Sequence, residues 1–400
     1  MYQNTFVQNF YIFIFAFWYS TEIFFNTTLE FIFGIRIDLF NNVVNWLVFV
    51  LLMIQIMLLQ SYKRNELVII VLITLPVIIS TGLSGNRSLL SVWMFIVAAK
   101  NISFDRIVQI VYRILLIMVP MIIFLRLAGF IDDYTIMRGS IQRFSLGFSH
   151  PNQLGMRIFQ LTLCHCYINR AKLSIINYCN IFMAVVFTIV ISNSQTAYIS
   201  LVVLLIALLI YKYVESQRQI FGQIFAWSLV VGVFLLNILS VTLSYIDVNK
   251  YTILSQIDRW MSSRFSWCHR VWQIYGVSFW GQKIYVLWEE VKLAGIKNRL
   301  WLDNAYVSIL LRYGIVVFLL ISFAYMYLIR SMVIRKEYVL AIILFLYSLY
   351  GLMENGLFML SHNIFLLAFS DLLYQKNGFA TVANKVEQLT ESTKRNERSE

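Results

Sequence analysis

Residues 221–245 read FGQIFAWSLVVGVFLLNILSVTLSY, a run without one Asp, Glu, Lys or Arg. About 20 apolar residues are enough for a helix to cross a bilayer core. The run therefore predicts a membrane-spanning helix. Comparable runs lie near 6–25, 42–60, 67–80, 88–100, 107–129, 151–168, 176–192 and 197–211 before it, and near 305–329, 338–353 and 356–374 after it. The chain is 60% hydrophobic and 13% charged, against about 25% charged in soluble domains. These runs predict an all-α integral membrane protein of about twelve transmembrane helices over residues 1–375. The runs at 67–80 and 88–100 are short and predict a tight hairpin or a re-entrant pair. Residues 376–400 lose their apolar content and end Lys394-Arg395-Asn396-Glu397-Arg398, which predicts a disordered cytoplasmic tail.

Outward from 221–245 lies the one long connection, residues 246–304. It holds Trp260, Trp267, Trp272, Trp280, Trp288 and Trp301, six of the ten tryptophans, interleaved with Arg259, Arg264, Arg270, Lys283, Lys292, Lys297 and Arg299. Aromatic faces stack on sugar rings, and guanidinium groups grip phosphate through paired hydrogen bonds. Interfacial Trp and Arg at the headgroup level are the plainer alternative. Within the loop, Trp260, Arg264, Trp267, Val271 and Tyr275 follow helical spacing, so 257–275 is expected to form one amphipathic helix.

Lys and Arg set orientation. Lys63/Arg64, Lys100/Arg106, Arg170/Lys172, Lys212/Arg218 and Arg330/Arg335/Lys336 fall in every second connection. With these inside, both termini are cytoplasmic and 246–304 is extracytoplasmic, since long loops translocate regardless of charge. The N-terminus lacks a basic n-region and a cleavage site, so the first run is expected to be a retained span. The net charge of +12 is accounted for by this bias and by anionic lipid, without nucleic acid. Cys164, Cys166, Cys179 and Cys268 have no metal-ligand spacing, and no metal or cofactor is expected.

Polar residues in apolar context need reasons. Arg157 and Arg312 lie about two turns into their spans, where an arginine costs about 2.5–3.5 kcal/mol, so an internal cavity and an anionic ligand are expected. Arg126 is near enough to a span end to snorkel. Before the span at 151, the stretch Arg143 to Gly155 is dense in polar residues. Pro151 suits a first helical turn and Ser149 a cap.

Arg143…Gly147-Phe148-Ser149-His150-Pro151-Asn152 resembles the R-x-x-G-x-x-x-x-P-N stretch of the O-antigen polymerase and ligase superfamily. Ser192-Asn193-Ser194-Gln195-Thr196-Ala197 resembles its S-x-S turn between spans. Ser262-Ser263-Arg264 with Gly276 and Phe279-Trp280-Gly281-Gln282 resembles its outer-loop pattern. Leu302-Asp303-Asn304-Ala305-Tyr306…Tyr313-Gly314-Ile315 resembles the following D/H-N-x-Y…G-I motif. The four occur in the family's order over residues 140–315. Ser263 stands where the family often has Gly. Asp303 stands where ligases carry His, which favours polymerase over ligase.

The resemblance implies a Wzy-type glycosyltransferase, metal-independent, in the bacterial plasma membrane. It would join polyprenyl-diphosphate-linked oligosaccharide units, with membrane lipid around it and a flippase and a chain-length regulator as partners. Asp303 is expected to orient or deprotonate the acceptor hydroxyl, with His150 and His269 as rivals. Arg264 is expected to hold the diphosphate. Arg143, Arg157, Asn152, Arg270, Asn304, Tyr306, Arg312 and Trp267 are the expected substrate contacts. The alternatives are a ligase-like glycan transferase and a lipid-linked oligosaccharide flippase or transporter.

Overall fold

A computed structural model describes residues 2–32, 34–217, 219–286 and 300–374. The expected tail, and with it Trp288, Lys292, Lys297 and Arg299 of the long loop, lie outside the described residues.

The described chain is helical apart from two short antiparallel hairpins and an isolated bridge. α1 (Tyr2–Phe25) leads through the first hairpin, β1 (Phe31–Ile32) and β2 (Ile35–Arg36), into α2 (Ile37–Ile54). α3 (Arg64–Ser84), α4 (Ser88–Ala98) and α5 (Phe104–Leu127) follow. The second hairpin, β3 (Thr135–Arg138) and β4 (Ile141–Phe144), precedes α6 (Pro151–Ile168), α7 (Ile175–Phe187), α8 (Gln195–Gln217) and α9 (Gln219–Tyr245). Two helices lie in the long connection, α10 (Thr252–Trp260) and α11 (Arg264–Tyr275). α12 (Ala305–Ile334), α13 (Tyr338–Tyr350) and α14 (Ala368–Tyr374) complete the described chain.

Among the described residues, seven helices are long and apolar enough to cross a membrane, and the apolar helices Ser88–Ala98, Tyr338–Tyr350 and Ile364–Tyr374 are shorter. The expectation of about twelve spans therefore stands at seven by length and composition. α6 has a helix's span length but carries Arg157, Gln160 and His165. The run at 67–80 is longer than read: α3 begins at Arg64 and ends at a left-handed Gly85. The run at 356–374 is not one continuous helix. Its first part is turns, and helix starts only at Ile364. Backbone of this kind is tolerated at membrane depth when protein encloses it, and Leu357, Leu360 and Asn363 are buried.

α12 is the most enclosed span, with 44% of its apolar window buried against 17% for α2 or α3. It packs on α9 and α3. It is also broken: Gly314 has φ 85° and ψ 170°. The turn 278–282 docks into the break. Ile315 N donates to Ser278 O at 3.1 Å, and Gln282 N to Arg312 O at 2.9 Å. Backbone groups freed by the break are thus satisfied, as an apolar interior demands. The two family-like glycine motifs, Phe279-Trp280-Gly281-Gln282 and Tyr313-Gly314-Ile315, are the two sides of this joint.

A Cβ on Gly314 would stand 2.5 Å from both Gly281 N and Phe279 O, and the positive φ adds strain of about 1–3 kcal/mol. Gly314→Ala is expected to lower the melting temperature of the purified protein. It should also expose the 278–282 turn to limited proteolysis. An unchanged melting curve and digestion pattern would mean that the joint is dispensable.

Candidate functional site

The expected single helix over 257–275 is two helices. Ser262 and Ser263 adopt left-handed conformations, φ 61° and 59°, which breaks the helical path between Trp260 and Arg264. Asp258, 2% exposed, explains the break. Its carboxylate accepts from Phe265 N at 2.8 Å and Ser266 N at 3.2 Å, and from the Ser266 hydroxyl. These are the free amides of the new helix's first turn, satisfied by an acid at the favourable end of the dipole. Arg264 becomes the first residue of α11, while Trp260 stays exposed.

From that position Arg264 reaches two carboxylates. Its Nη1 donates to Asp303 Oδ2, and its Nη2 donates to Glu354 Oε1 at 3.0 Å. Asp303 is placed by its neighbour. The Asn304 side-chain oxygen caps α12 by accepting from Tyr306 N and Val307 N, and also takes the Ser240 hydroxyl. Asn304 Nδ2 donates to Leu352 O at 3.1 Å, and Ala305 N donates to Gly351 O at 2.8 Å. The start of α12 is thereby tied to the segment after α13, which brings Glu354 beside Asp303.

A third segment closes the ring. Asn152, in the first turn of α6, donates to Glu354 Oε1 at 2.8 Å and accepts from Arg143 Nη2. Arg143 is 3% exposed and also donates to Ser192 O at 2.9 Å. Arg138, across the same hairpin, donates to Asn193 O at 3.2 Å. The Ser192–Ala197 motif therefore seats two arginines through its backbone carbonyls. A Cβ at Gly155 would meet Ser194 Cβ at 2.6 Å, so only glycine lets α6 come this close to the turn.

The charges act on one another. Burial pushes Arg143 down to about 10, aided by Arg138. Burial also lowers Arg138, with Arg264 adding to it. Burial works against the charge on Arg264, but Glu354 and Asp303 outweigh it and hold its pKa above the ordinary value. Burial raises Asp303, opposed by Arg264. Burial raises Glu354 to about 7, opposed chiefly by Arg264 and reinforced by Asp303. Arg138 and Arg143 bond to neutral oxygens and form no ion pair among the described residues. The site thus sets three arginines against two acids, and Glu354 acts on all three. Such a site attracts an anion with several oxygens.

Other expected residues fall elsewhere. His150 caps α6, its Nδ1 accepting from Asn152 N at 3.0 Å, so the cap is His150 rather than Ser149. Burial and the nearby Arg143, Arg264 and Arg138 lower its pKa to about 4, so the ring is neutral near pH 7 and its acceptor nitrogen is occupied. His269 Nδ1 faces Ser244 O at 3.3 Å.

Asn304 and Tyr306, expected to touch substrate, are instead buried and committed to structure; the Tyr306 hydroxyl donates to Ser348 O at 2.8 Å. Arg157, fully buried, donates to Gln160 and to Ser361 O. Arg312 lines a small pocket with Asn86 and Asn355. Arg270 stacks over Trp267, 4.6 Å from the ring centroid, and Trp267 meets Trp301 edge-on. Among the described residues, no side-chain hydrogen bond or ion pair links that stack to Arg264.

Glu354 and Arg138 were not among the expected site residues. A signal existed for Glu354: it is one of two acids between Tyr338 and Tyr374, and an acid in an apolar run needs a partner. Arg138 carried no comparable signal. Among protein-family models, curated proteins and solved structures, nothing matches this chain.

Proposed function

We propose that the chain is a membrane glycosyltransferase that joins polyprenyl-diphosphate-linked oligosaccharide units at the outer face of a bacterial plasma membrane. One observation carries the reading: Arg264, held between Asp303 and Glu354, stands beside Arg138 and Arg143 at one end of the helical bundle. Arg138, Arg143 and Arg264 would hold the diphosphate. A hydroxyl of the second unit attacks the anomeric carbon, the C–O bond to the diphosphate breaks, and polyprenyl diphosphate leaves with the electron pair. The acceptor proton passes to a carboxylate. The leaving group is already good, so positioning and charge stabilisation supply most of the acceleration.

Either Asp303 or Glu354 would take the proton. Glu354 accepts both its bonds on Oε1, which leaves Oε2 for the acceptor. Its pKa of about 7 suits a general base at neutral pH. Asp303, nearest to Arg264, orients the acceptor and keeps the guanidinium in place. The test is extension of a lipid-linked unit by the purified protein in liposomes. Asp303→Asn is expected to abolish extension at normal protein abundance. An Asp303→Asn protein that makes wild-type chain lengths would reduce Asp303 to a structural counter-ion.

Orientation has its own check. Reporter fusions at Lys283 and Glu215 are expected to read outside and inside respectively, from the Lys/Arg alternation. The reverse pattern would move the site to the cytoplasmic face and exclude the reaction as written.

A further inference from the structure

A cavity of about 430 Å³ lies among α1, α2, α3, α4 and the segment 359–361, apart from Arg264 and its partners. This is within the range of about 300–1,000 Å³ typical of small-molecule sites. Its lining is graded, and three helices show the same gradient. On α2, Asn42 and Asn45 give way to Phe49 and Leu52. On α1, Glu22 sits one turn beyond Trp18; on α4, Ser88 and Ser91 precede Met94. The polar ends all lie at the end of the bundle where Asn26 bonds Gln153 and Ser149, the end that carries Arg264. The cavity is therefore polar at its mouth and apolar in its depth.

The mouth is built as a network. Asn45 accepts from the Trp18 indole at 3.2 Å and donates to Glu22 at 3.5 Å and Asn41 at 2.7 Å. Arg87 lies over the exposed Trp46 ring, 4.8 Å from its centroid. The Thr81 hydroxyl, on the wall, has no partner among the described residues. One acid and one arginine leave the mouth nearly neutral, unlike the cationic site around Arg143. Tryptophan faces with amide, hydroxyl and carboxylate groups match a neutral polyhydroxyl ligand. The apolar floor matches a hydrocarbon chain.

We propose that this cavity binds a sugar-headed membrane amphiphile, with the sugar at Glu22, Asn45 and Trp46 and the chain along Phe49, Leu52 and Met94. Its role as the acceptor site rests on the polymerase reading above; the binding itself does not. The cationic site would take the diphosphate of one lipid-linked unit and this cavity the saccharide and chain of the other, with Arg87 as the lining cation for its diphosphate. One segment touches both: it carries Glu354 at the cationic site and Met359, Leu360 and Ser361 on the cavity wall. Arg157 braces that wall through Ser361 O at 2.6 Å, while its Nε and Nη2 have no partner among the described residues.

The full chain in phosphatidylcholine nanodiscs is labelled with a diazirine-bearing dodecyl maltoside. Label is expected in the peptides covering 37–54 and 88–98. Dodecyl maltoside should compete for it at least about tenfold better than dodecyl phosphocholine, the difference of one or two hydrogen bonds. Trp46→Ala at the exposed rim should lower labelling about as much, with an unchanged melting curve. Label confined to peptides that do not line the cavity, or equal competition by the phosphocholine, would overturn the site. Polyprenyl-phosphate glucose is expected to compete, and competition by glucosyl diacylglycerol alone would overturn the acceptor role. A protein that labels here but never extends chains refutes the polymerase reading alone. One that extends chains without labelling here refutes the cavity alone.

Discussion

Arg264→Lys is expected to cut chain extension by about 10²–10³-fold, the usual effect of losing one preorganised donor at a developing anion. The substitution keeps the charge and removes the geometry. Nη1 serves Asp303 while Nη2 serves Glu354, and a single ammonium cannot present two fixed donors along these directions. The same fork would turn toward diphosphate oxygens when donor arrives. Arg264→Ala would be a poorer test, because it leaves two partly buried carboxylates facing each other and unfolding could mimic lost chemistry. With Lys the local charge balance persists, so abundance and melting temperature are expected near wild type. Normal extension by Arg264→Lys would mean that the residue only neutralises its two acids.

Glu354→Gln is expected to lower the rate by about 10²–10⁴-fold, the range for a general base. It should also remove a limb of the pH profile. The sign follows from the pKa. Burial holds Glu354 at about 7, above its ordinary 4.5. A base works ionised, so wild-type activity should rise with pH through about 7 and then level off. A bound diphosphate adds negative charge and draws Arg264 away, and both effects move the midpoint upward. Stability runs the other way. Between pH 4.5 and 7 the folded state holds a proton that the unfolded state has released, so this group's contribution to stability declines across that window. Glu354→Gln should flatten both trends. A variant that keeps the acid limb would assign that limb to Asp303.

The membrane class of the chain was legible because lipid imposes a length and a polarity on every span. Runs such as 107–129, 176–192 and 221–245 declare themselves in composition alone. The short and interrupted elements did not. α4, with eleven residues, and the turns before Ile364 are stable only because neighbouring helices enclose them, and no local pattern records that enclosure. The break between α10 and α11 was hidden for a related reason. The Trp260–Tyr275 spacing is helical, but Asp258 gains more by capping a new helix than the chain gains by continuing the old one.

Residue type and motif order pointed to Arg143, Asn152, Arg264 and Asp303, and the fold brings these four together. Type and order could not say which neighbours would be spent on the scaffold. Asn304 and Tyr306 sit within the same motif as Asp303, yet one caps α12 and the other bonds Ser348 O. A cap and a ligand contact use the same side-chain chemistry, and only packing decides which partner is present. Glu354 was decided by tertiary structure for the same reason. Fifty-one positions of chain separate it from Asp303, and what joins them is the Asn304 amide on Leu352 O and a shared guanidinium from a third segment. Sequence by itself determined that this chain lives in a bilayer and carries arginines that an apolar solvent would not tolerate alone. Tertiary structure decided which groups answer them, two acids for Arg264 and neutral oxygens for Arg138, Arg143 and Arg157, because pairing a buried charge requires groups within a few ångströms, and distance along the chain says nothing of that.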